Sequence, residues 1–378
     1  MWAAWKVRAS PHEYDASAME RISRRMDVKV IIMNDSAQLQ AVAGDRLRTI
    51  LELREELRAA RSQIQVLEQK MESAKIYRHW RWRQFLKRLC GVRLGITPHY
   101  SPRAISVPAS YTKAPSIDWP LISIVTPSFN QGRFLERTIR SVLDQHYPKL
   151  EYIIKDGGSS DKTIDVLDRY KPSLNYSESS KDRSQAHALN LGFCHTSGGI
   201  MAYLNSDDLL MPGALHYVAA FFARHPEIDV VYGHRVMLDE NDLEVGRWVL
   251  PPHDNDVLSW ADYVPQETLF WRRRVWEKIG GAFDESFDFV LDWDLILRFR
   301  DVGARFVRLP RFLGGFRLHP GQKTASQLAH RGLYEMNRLR ERCNGRPVSY
   351  TEISRHIAGY LFRHVIYHRL YLLGALRC

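Results

Sequence analysis

The sequence predicts an α/β fold, a mostly parallel sheet flanked by helices, with a coiled-coil helix ahead of it and a helical tail behind. Three observations predict it. Short apolar runs at 122–126, 152–155 and 201–204 alternate with helix-like segments at 134–143, 163–170 and 186–193, the order that βαβ units impose. Polar clusters follow these runs, where the ligand crevice of an open parallel sheet lies. Apolar side chains recur at heptad spacing upstream and at helical spacing downstream. With 378 residues, 45% of them apolar and 11% aromatic, the chain can fill a sizeable core.

Residues 1–36 carry no assignment beyond a strand-like stretch at 28–33. Lys6, Arg8, Glu13 and Asp15 interrupt what would be the apolar core of a signal peptide. Over 37–75 a coiled-coil helix is expected, because Ile50, Leu53, Leu57, Ala60, Ile64, Leu67, Met71 and Ala74 form a heptad seam. Homo-oligomerisation is one reading of that seam, and docking on the chain's own domain is the other. Residues 76–118 join a basic aromatic segment, with Arg78, Arg81, Arg83, Trp80 and Trp82, to a linker marked by Pro102, Pro108 and Pro115. Cations mixed with aromatics suit an anionic membrane surface, where each contributes about 1 kcal/mol, or single-stranded nucleic acid, or simply a solvated helix face. A compact domain follows over 119–325, and 326–378 forms a basic amphipathic tail. In that tail Arg355, Arg363, Arg369 and Arg377 share one arc, with Ile357, Tyr360, Leu361, Val365, Leu372 and Leu373 covering most of the rest. The tail helix lies along a membrane surface or packs on the domain with its arginines outward.

The 54 Lys plus Arg exceed 43 Asp plus Glu, giving a net charge of +11 that favours anionic partners. Cys90, Cys194, Cys343 and Cys378 lack disulfide or zinc spacing, so a reducing, cytoplasmic location is expected. No uncharged apolar run is long enough to span a bilayer, which leaves at most a peripheral place at the inner face of the membrane.

The chemistry gathers at the strand ends. Asn205-Ser206-Asp207-Asp208 closes an uncharged run with two adjacent carboxylates, which repel unless a cation, water or protons offset them. Hard oxygen ligands of this kind suit Mg²⁺ or Mn²⁺ that also holds substrate phosphates. In the alternative, a solvated turn, Asp208 caps the helix near Pro212. Thr126-Pro127-Ser128-Phe129-Asn130-Gln131-Gly132 and Asp156-Gly157-Gly158-Ser159-Ser160-Asp161 end the first two runs, so three loops face one crevice.

In order and spacing, residues 123–130, 154–163 and 204–208 resemble the inverting family 2 glycosyltransferases of GT-A fold. The resemblance spans about residues 119–325. It implies a nucleotide-sugar donor, commonly a UDP-sugar, with a divalent cation, Mn²⁺ or Mg²⁺, across the diphosphate. By position it implies Pro127, Ser128, Phe129 and Asn130 around the nucleoside, with Asp156 accepting a hydrogen bond from the base. Asp182, Arg183 and Gln185 would cover the donor, although Arg183 can equally be a surface ion pair and Ser184 a helix cap. Asp207 stands at the principal metal ligand, Asp208 beside it as a water-mediated ligand or a brace. Asn205 stands where an aspartate is frequent, leaving less charge for the cation. Residues 283–295 resemble the family's acidic acceptor-side motif, in which Asp292 takes the place of the general base, and Leu291 that of its usual glutamate partner. Residues 314–324 look like the segment that closes over the donor. His319 would complete the cation's shell, Arg317 and Lys323 would meet the diphosphate, and Gly314, Gly315 and Gly321 would let the segment move.

The acceptor is a glycan or a lipid-linked hydroxyl, and the basic segments point to cell-envelope polysaccharide or glycolipid synthesis. The alternative is a catalytically silent scaffold that binds nucleotide or glycan and oligomerises through its coiled coil; Asn205, Leu291 and His187, which replaces a common aspartate, favour it. A dehydrogenase or P-loop enzyme is excluded, because neither G-x-G-x-x-G after the first strand nor G-x-x-x-x-G-K-[ST] occurs. Nucleic-acid binding is disfavoured.

Overall fold

The computed structural model describes residues 100–114, 116–323, 328–376 and 378. The coiled-coil helix, the basic aromatic segment and residues 1–36 lie outside the described residues. Strands β1 (Ile122–Ser128), β2 (Leu150–Asp156), β3 (Tyr176–Ser179) and β4 (Ile200–Tyr203) run parallel in the order β3-β2-β1-β4. Between them come α1 (Leu135–Leu143), α2 (Thr163–Tyr170) and α3 (Gln185–Phe193). All of β1 is buried, which is why a central strand reads as an unbroken apolar run, whereas β3 at the edge carries half-exposed Ser and Glu. Leu135, Thr138, Ile139 and Val142 put the helical repeat of α1 into the core. The strand order reverses between β1 and β4, and that switch point opens the crevice.

Past β4 the sheet is mixed, which corrects the mostly parallel expectation. The chain continues through β5 (Leu209–Leu210), α4 (Ala214–Arg224), β6 (Val230–Leu238), β7 (Glu244–Trp248), α5 (Asn255–Leu258), β8 (Phe270–Arg272), α6 (Arg273–Lys278), α7 (Leu291–Asp301) and β9 (Phe306–Arg317). β6 and β7 form an antiparallel pair, β8 lies antiparallel to both β4 and β6, and β5 lies antiparallel to β9. The short connection from β6 to β7 is the physical reason: a tight turn reverses the strand, whereas a parallel return needs a helical crossover. Only β6 and β9 continue the parallel arrangement.

Three further expectations change. Residues 100–114 lie against the domain rather than forming a solvated linker: Arg103 pairs with buried Glu244, and Tyr111 is buried beneath the Arg311 guanidinium at 3.8 Å. Gly314 and Gly315 sit inside β9 instead of a mobile segment. A Cβ on Gly314 would come within 2.5 Å of the Glu267 side chain, so close packing, not freedom, explains that glycine. The tail forms α8 (Leu333–Asn344) and α9 (Tyr350–Leu372), the latter started by a Ser349–Glu352 capping box. Ile353 and Tyr360 of α9 are buried on the domain and Arg363 pairs with Asp254, while Leu372 and Leu373 are exposed rather than packed. Among the described residues no helix is long and apolar enough to cross a membrane.

Candidate active site

A cavity of about 540 Å³ opens at the carboxyl ends of β1, β2 and β4, within the size range of small-molecule sites. Pro127, Ser128 and Phe129 after β1, Asp182, Arg183 and Gln185 ahead of α3, and Asn205, Asp207 and Asp208 after β4 all line it. Gln322 and Lys323, after β9, line the same cavity. Phe129 is 60% exposed at its rim, free to meet a flat ligand group.

Asn130 and Asp156 do not line the cavity. Asn130, at φ 54°, accepts the Ser160 N–H on its side chain and donates its own N–H to Ser159 Oγ. Asp156 is fully buried beneath the rim, accepting the N–H groups of Gly158 and Ser159 and the hydroxyls of Ser159 and Ser179. Both residues shape the two glycine-rich loops. The next residue needs to be small: a Cβ on Gly157 would stand 2.7 Å from Asp182 Oδ2. Burial, opposed by the nearby His187, raises the Asp182 carboxyl above its ordinary value. Arg183 is 70% exposed and directed at Glu285, and Ser184 caps α3 by accepting the His187 N–H.

The paired aspartates diverge. Asp207 Oδ2 lies 3.0 Å from His319 Nε2, and the imidazole packs on Phe134 at 4.6 Å. Asp208 turns inward, accepting the Arg317 N–H at 3.1 Å, and burial followed by the charge of Asp207 pushes its carboxyl well above the usual range. It therefore braces the loop, and α4 begins from Gly213 without a side-chain cap. Arg317 corrects the diphosphate expectation: its guanidinium is fully buried, bonded to Asp242 and to the Asp207 carbonyl. Lys323 does reach the cavity, donating to Gln185 Oε1 and Asp288 Oδ1. Among the described residues no three His, Cys, Asp or Glu side chains converge on one ion. Asp207 and His319 are nevertheless close enough to share one, an oxygen and a nitrogen ligand that suit Mn²⁺ and leave room for diphosphate oxygens and water.

Asn205 is held on both sides. Gln185 donates to its Oδ1 at 2.7 Å, and its own amide donates to Gln266 Oε1 at 3.0 Å, while Gln266 donates to the Tyr203 carbonyl. An amide both accepts and donates, which the aspartate frequent at this position cannot do. Asp292 stands in the first turn of α7, outside the lining of the cavity, with its Oδ1 accepting the Trp293 N–H at 2.9 Å. Burial raises its carboxyl, Glu267 adds to the rise, and Arg235 opposes it. Asp262 also faces it. Arg235 holds Glu267 in a bidentate pair at 2.7 and 2.6 Å, so this acid cluster encloses one cation. Leu291 is buried in the core and offers no polar contact of the kind a glutamate would. Asp294 is buried between Arg298 and Arg342 and serves the helix, not a ligand. Trp260, Trp271 and Trp293 are buried, leaving none of them to stack on a sugar.

Sequence reasoning missed Asp288, Lys181 and Phe316 of the lining, and Arg235 as the partner of Glu267. Asp288 lies within the acidic stretch at 283–295 and had a signal; Glu267 lies in the stretch 265–268, which its place ahead of a strand-like run marks as acceptor-side lining, whereas Arg235, inside β6, had none.

The family model described as Glycosyl transferase family 2 matches residues 123–280. A PGL/p-HBAD biosynthesis glycosyltransferase of Mycobacterium bovis is 28% identical over 183 residues, covering 47% of this chain and 69% of that protein. An uncharacterized glycosyltransferase of Mycobacterium tuberculosis is 30% identical over 185 residues, covering 47% of this chain and 68% of its own length. The crystal structure of S. aureus TarS 1-349 in complex with UDP-GlcNAc shares the fold, with a TM-score of 0.50 at 17% identity over 65% of this chain and 73% of that one.

Proposed function

Because the chain belongs to glycosyl transferase family 2, we propose that it moves a hexosyl group from a UDP-sugar to a hydroxyl acceptor with inversion at the anomeric carbon. The observation that carries this reading is the single cavity joining the three strand-end loops to the segment after β9. Phe129, with Pro127 and Ser128, flanks the base and ribose. Asp156 from beneath and Asn130 at the surface hold the loops that shape this end. Asp182 and Gln185 receive sugar hydroxyls, and Lys323 meets the anionic diphosphate. Asp207 and His319 would hold a divalent cation, which when bound would supply positive charge against that developing on the departing diphosphate.

Asp292 is the general base. It takes the acceptor hydroxyl proton while that oxygen forms a bond to the anomeric carbon and the bond from that carbon to the diphosphate oxygen breaks. The nucleoside diphosphate leaves from the opposite face, which inverts the centre in one displacement. A carboxylate held above its ordinary pKa is a stronger proton acceptor, and such a base contributes roughly 10²- to 10⁴-fold.

The acceptor reading is an envelope glycan or glycolipid, with the enzyme at an anionic membrane surface. Phe362, Ile366, Leu370 and Leu373 support it: they recur at helical spacing along α9 and all are exposed. The test is direct. With Mn²⁺ and a UDP-sugar, Asp292→Asn is expected to lose transfer by about 10²-fold or more with nucleotide binding retained, and Asp207→Ala to weaken both. Transfer by Asp292→Asn at the unmodified rate would remove its role.

A further inference from the structure

The C-terminal helix closes a second recess, of about 210 Å³, that donor binding leaves unused. α9 contributes Ile357, Tyr360, Leu361 and His364, and β6 and β7 contribute Arg235 and Trp248. Asp262 and Tyr263, just past α5, complete the part that matters here. One end is charged and the rest is apolar or aromatic.

The charged end belongs to the acid cluster already described. Arg235 holds Glu267 in its bidentate pair, and the indole of Trp293, the residue after Asp292, donates to the Leu258 carbonyl at 2.8 Å, so the segment that carries Asp262 packs against the helix of the general base. Asp262 keeps an exposed edge although protein surrounds its carboxyl, as in the wall of a pocket open to solvent. Aromatic rings make the walls: Tyr263 and Tyr360 lie 4.4 Å apart, and Trp248 stands nearly perpendicular to His364 at 6.2 Å. Edge-and-face arrangements of this kind attract a further flat ring. An apolar cavity of about 150 Å³ already suffices for benzene, so the larger volume here admits a substituted ring.

Two polar atoms in the walls point to what the recess lacks. The Tyr360 hydroxyl and His364 Nε2 are buried with no hydrogen-bond partner among the described residues, and Tyr360 is only 4% exposed. Buried polar atoms are nearly always paired, so a ligand atom is the natural complement. A sugar ring, with polar atoms on every edge, would leave most of them unmet against Ile357, Leu361 and Trp248. An apolar ring with one or two polar substituents matches both the walls and the unmet atoms.

We infer that this recess is the acceptor subsite and that it takes a ring-sized apolar aglycone, whose hydroxyl is presented at the Asp262 end and whose second polar substituent meets Tyr360 or His364. The inference rests on the transfer reading above, and it specifies the acceptor's class. The full chain is titrated with 4-methoxyphenol by calorimetry, alongside Leu361→Trp, which fills the recess, and Tyr360→Phe, which removes only the hydroxyl. UDP binding is measured on each protein. Saturable binding to the unmodified chain is expected, about tenfold weaker in Leu361→Trp and several-fold weaker in Tyr360→Phe, with UDP affinity unchanged in all three. Absence of binding to the unmodified chain, or equal affinity in both variants, overturns the inference. So does methyl β-glucoside competing for the same Leu361-dependent site with higher affinity. Loss of UDP binding in every protein, with Leu361-dependent phenol binding intact, would instead count against the donor reading and leave the recess standing as a ligand site.

Discussion

At the scale of single residues, the reaction depends on how hard it is to ionise Asp292. Its surroundings are Asp262 and Glu267, both acidic, the phenol of Tyr203, and one cation, Arg235. Burial is the largest influence and raises the carboxyl, so protonation begins to remove the base at a higher pH than an exposed aspartate would permit. The sign of the pH effect follows. Activity is complete above the raised value and falls as pH drops through it. Glu267 is the acid that adds to the rise of the Asp292 carboxyl, so Glu267→Gln takes away one obstacle to ionising Asp292. The acid limb of kcat/KM is expected to move to lower pH in that variant, with the alkaline limb unmoved. A limb that stays in place would show that Glu267 does not act on the base.

At the scale of elements, α7 carries Asp292, and α8 determines where α7 begins. Buried Glu335 of α8 accepts the N–H groups of Asp288, Phe289 and Val290, the turn that leads into α7, and Arg331 steadies its other oxygen at 2.8 Å. The Val290 amide, at the N-cap, is one that a helix start leaves without a partner inside the helix, and those of Asp288 and Phe289 belong to the turn before it. Glu335→Ala strands them, at a cost of about 1–3 kcal/mol. A lower melting temperature and a reduced kcat are expected, with UDP affinity falling less than kcat, because of the three residues that Glu335 holds only Asp288 lines the donor cavity. Equal losses of kcat and UDP affinity would instead indicate general unfolding. This dependence was invisible in the sequence. The acidic stretch around Asp292 could be recognised because its residues are contiguous, but Glu335 reaches it only through the packing of a later helix. Contiguity also explains why β1, β2 and β4 were legible: each is a short buried run that ends in its own polar loop. β6, β7 and β9 were not, since their pairing depends on a reversal after β6 and on Gly314 and Gly315 fitting against Glu267 and Leu238. Glycines in a polar stretch suggest motion until their neighbours are known.

For the whole molecule, charge and apolar exposure combine on the last helix. The chain carries +11, and α9 shows solvent Phe362, Ile366, Leu370 and Leu373, with Arg355 and Arg369 also exposed. The inner residues of the same helix face the ring-lined recess. One element therefore separates an apolar outer stripe from an apolar inner pocket, an arrangement suited to drawing an amphiphilic acceptor from a lipid surface toward Asp292. Apolar side chains contribute about 1.5–3 kcal/mol each when fully buried, and a shallow interface realises part of that. Anionic lipid adds an attraction that salt screens within a Debye length, about 8 Å at physiological ionic strength. The full chain is expected to float with vesicles containing phosphatidylserine, more at low than at high salt, and poorly with phosphatidylcholine alone. Phe362→Ser combined with Leu373→Ser should reduce flotation about fivefold while UDP binding holds, since neither residue lines the donor cavity. Flotation equal to that of the unmodified chain would mean that α9 is not the membrane-facing element, and the outer stripe would lose its assigned role.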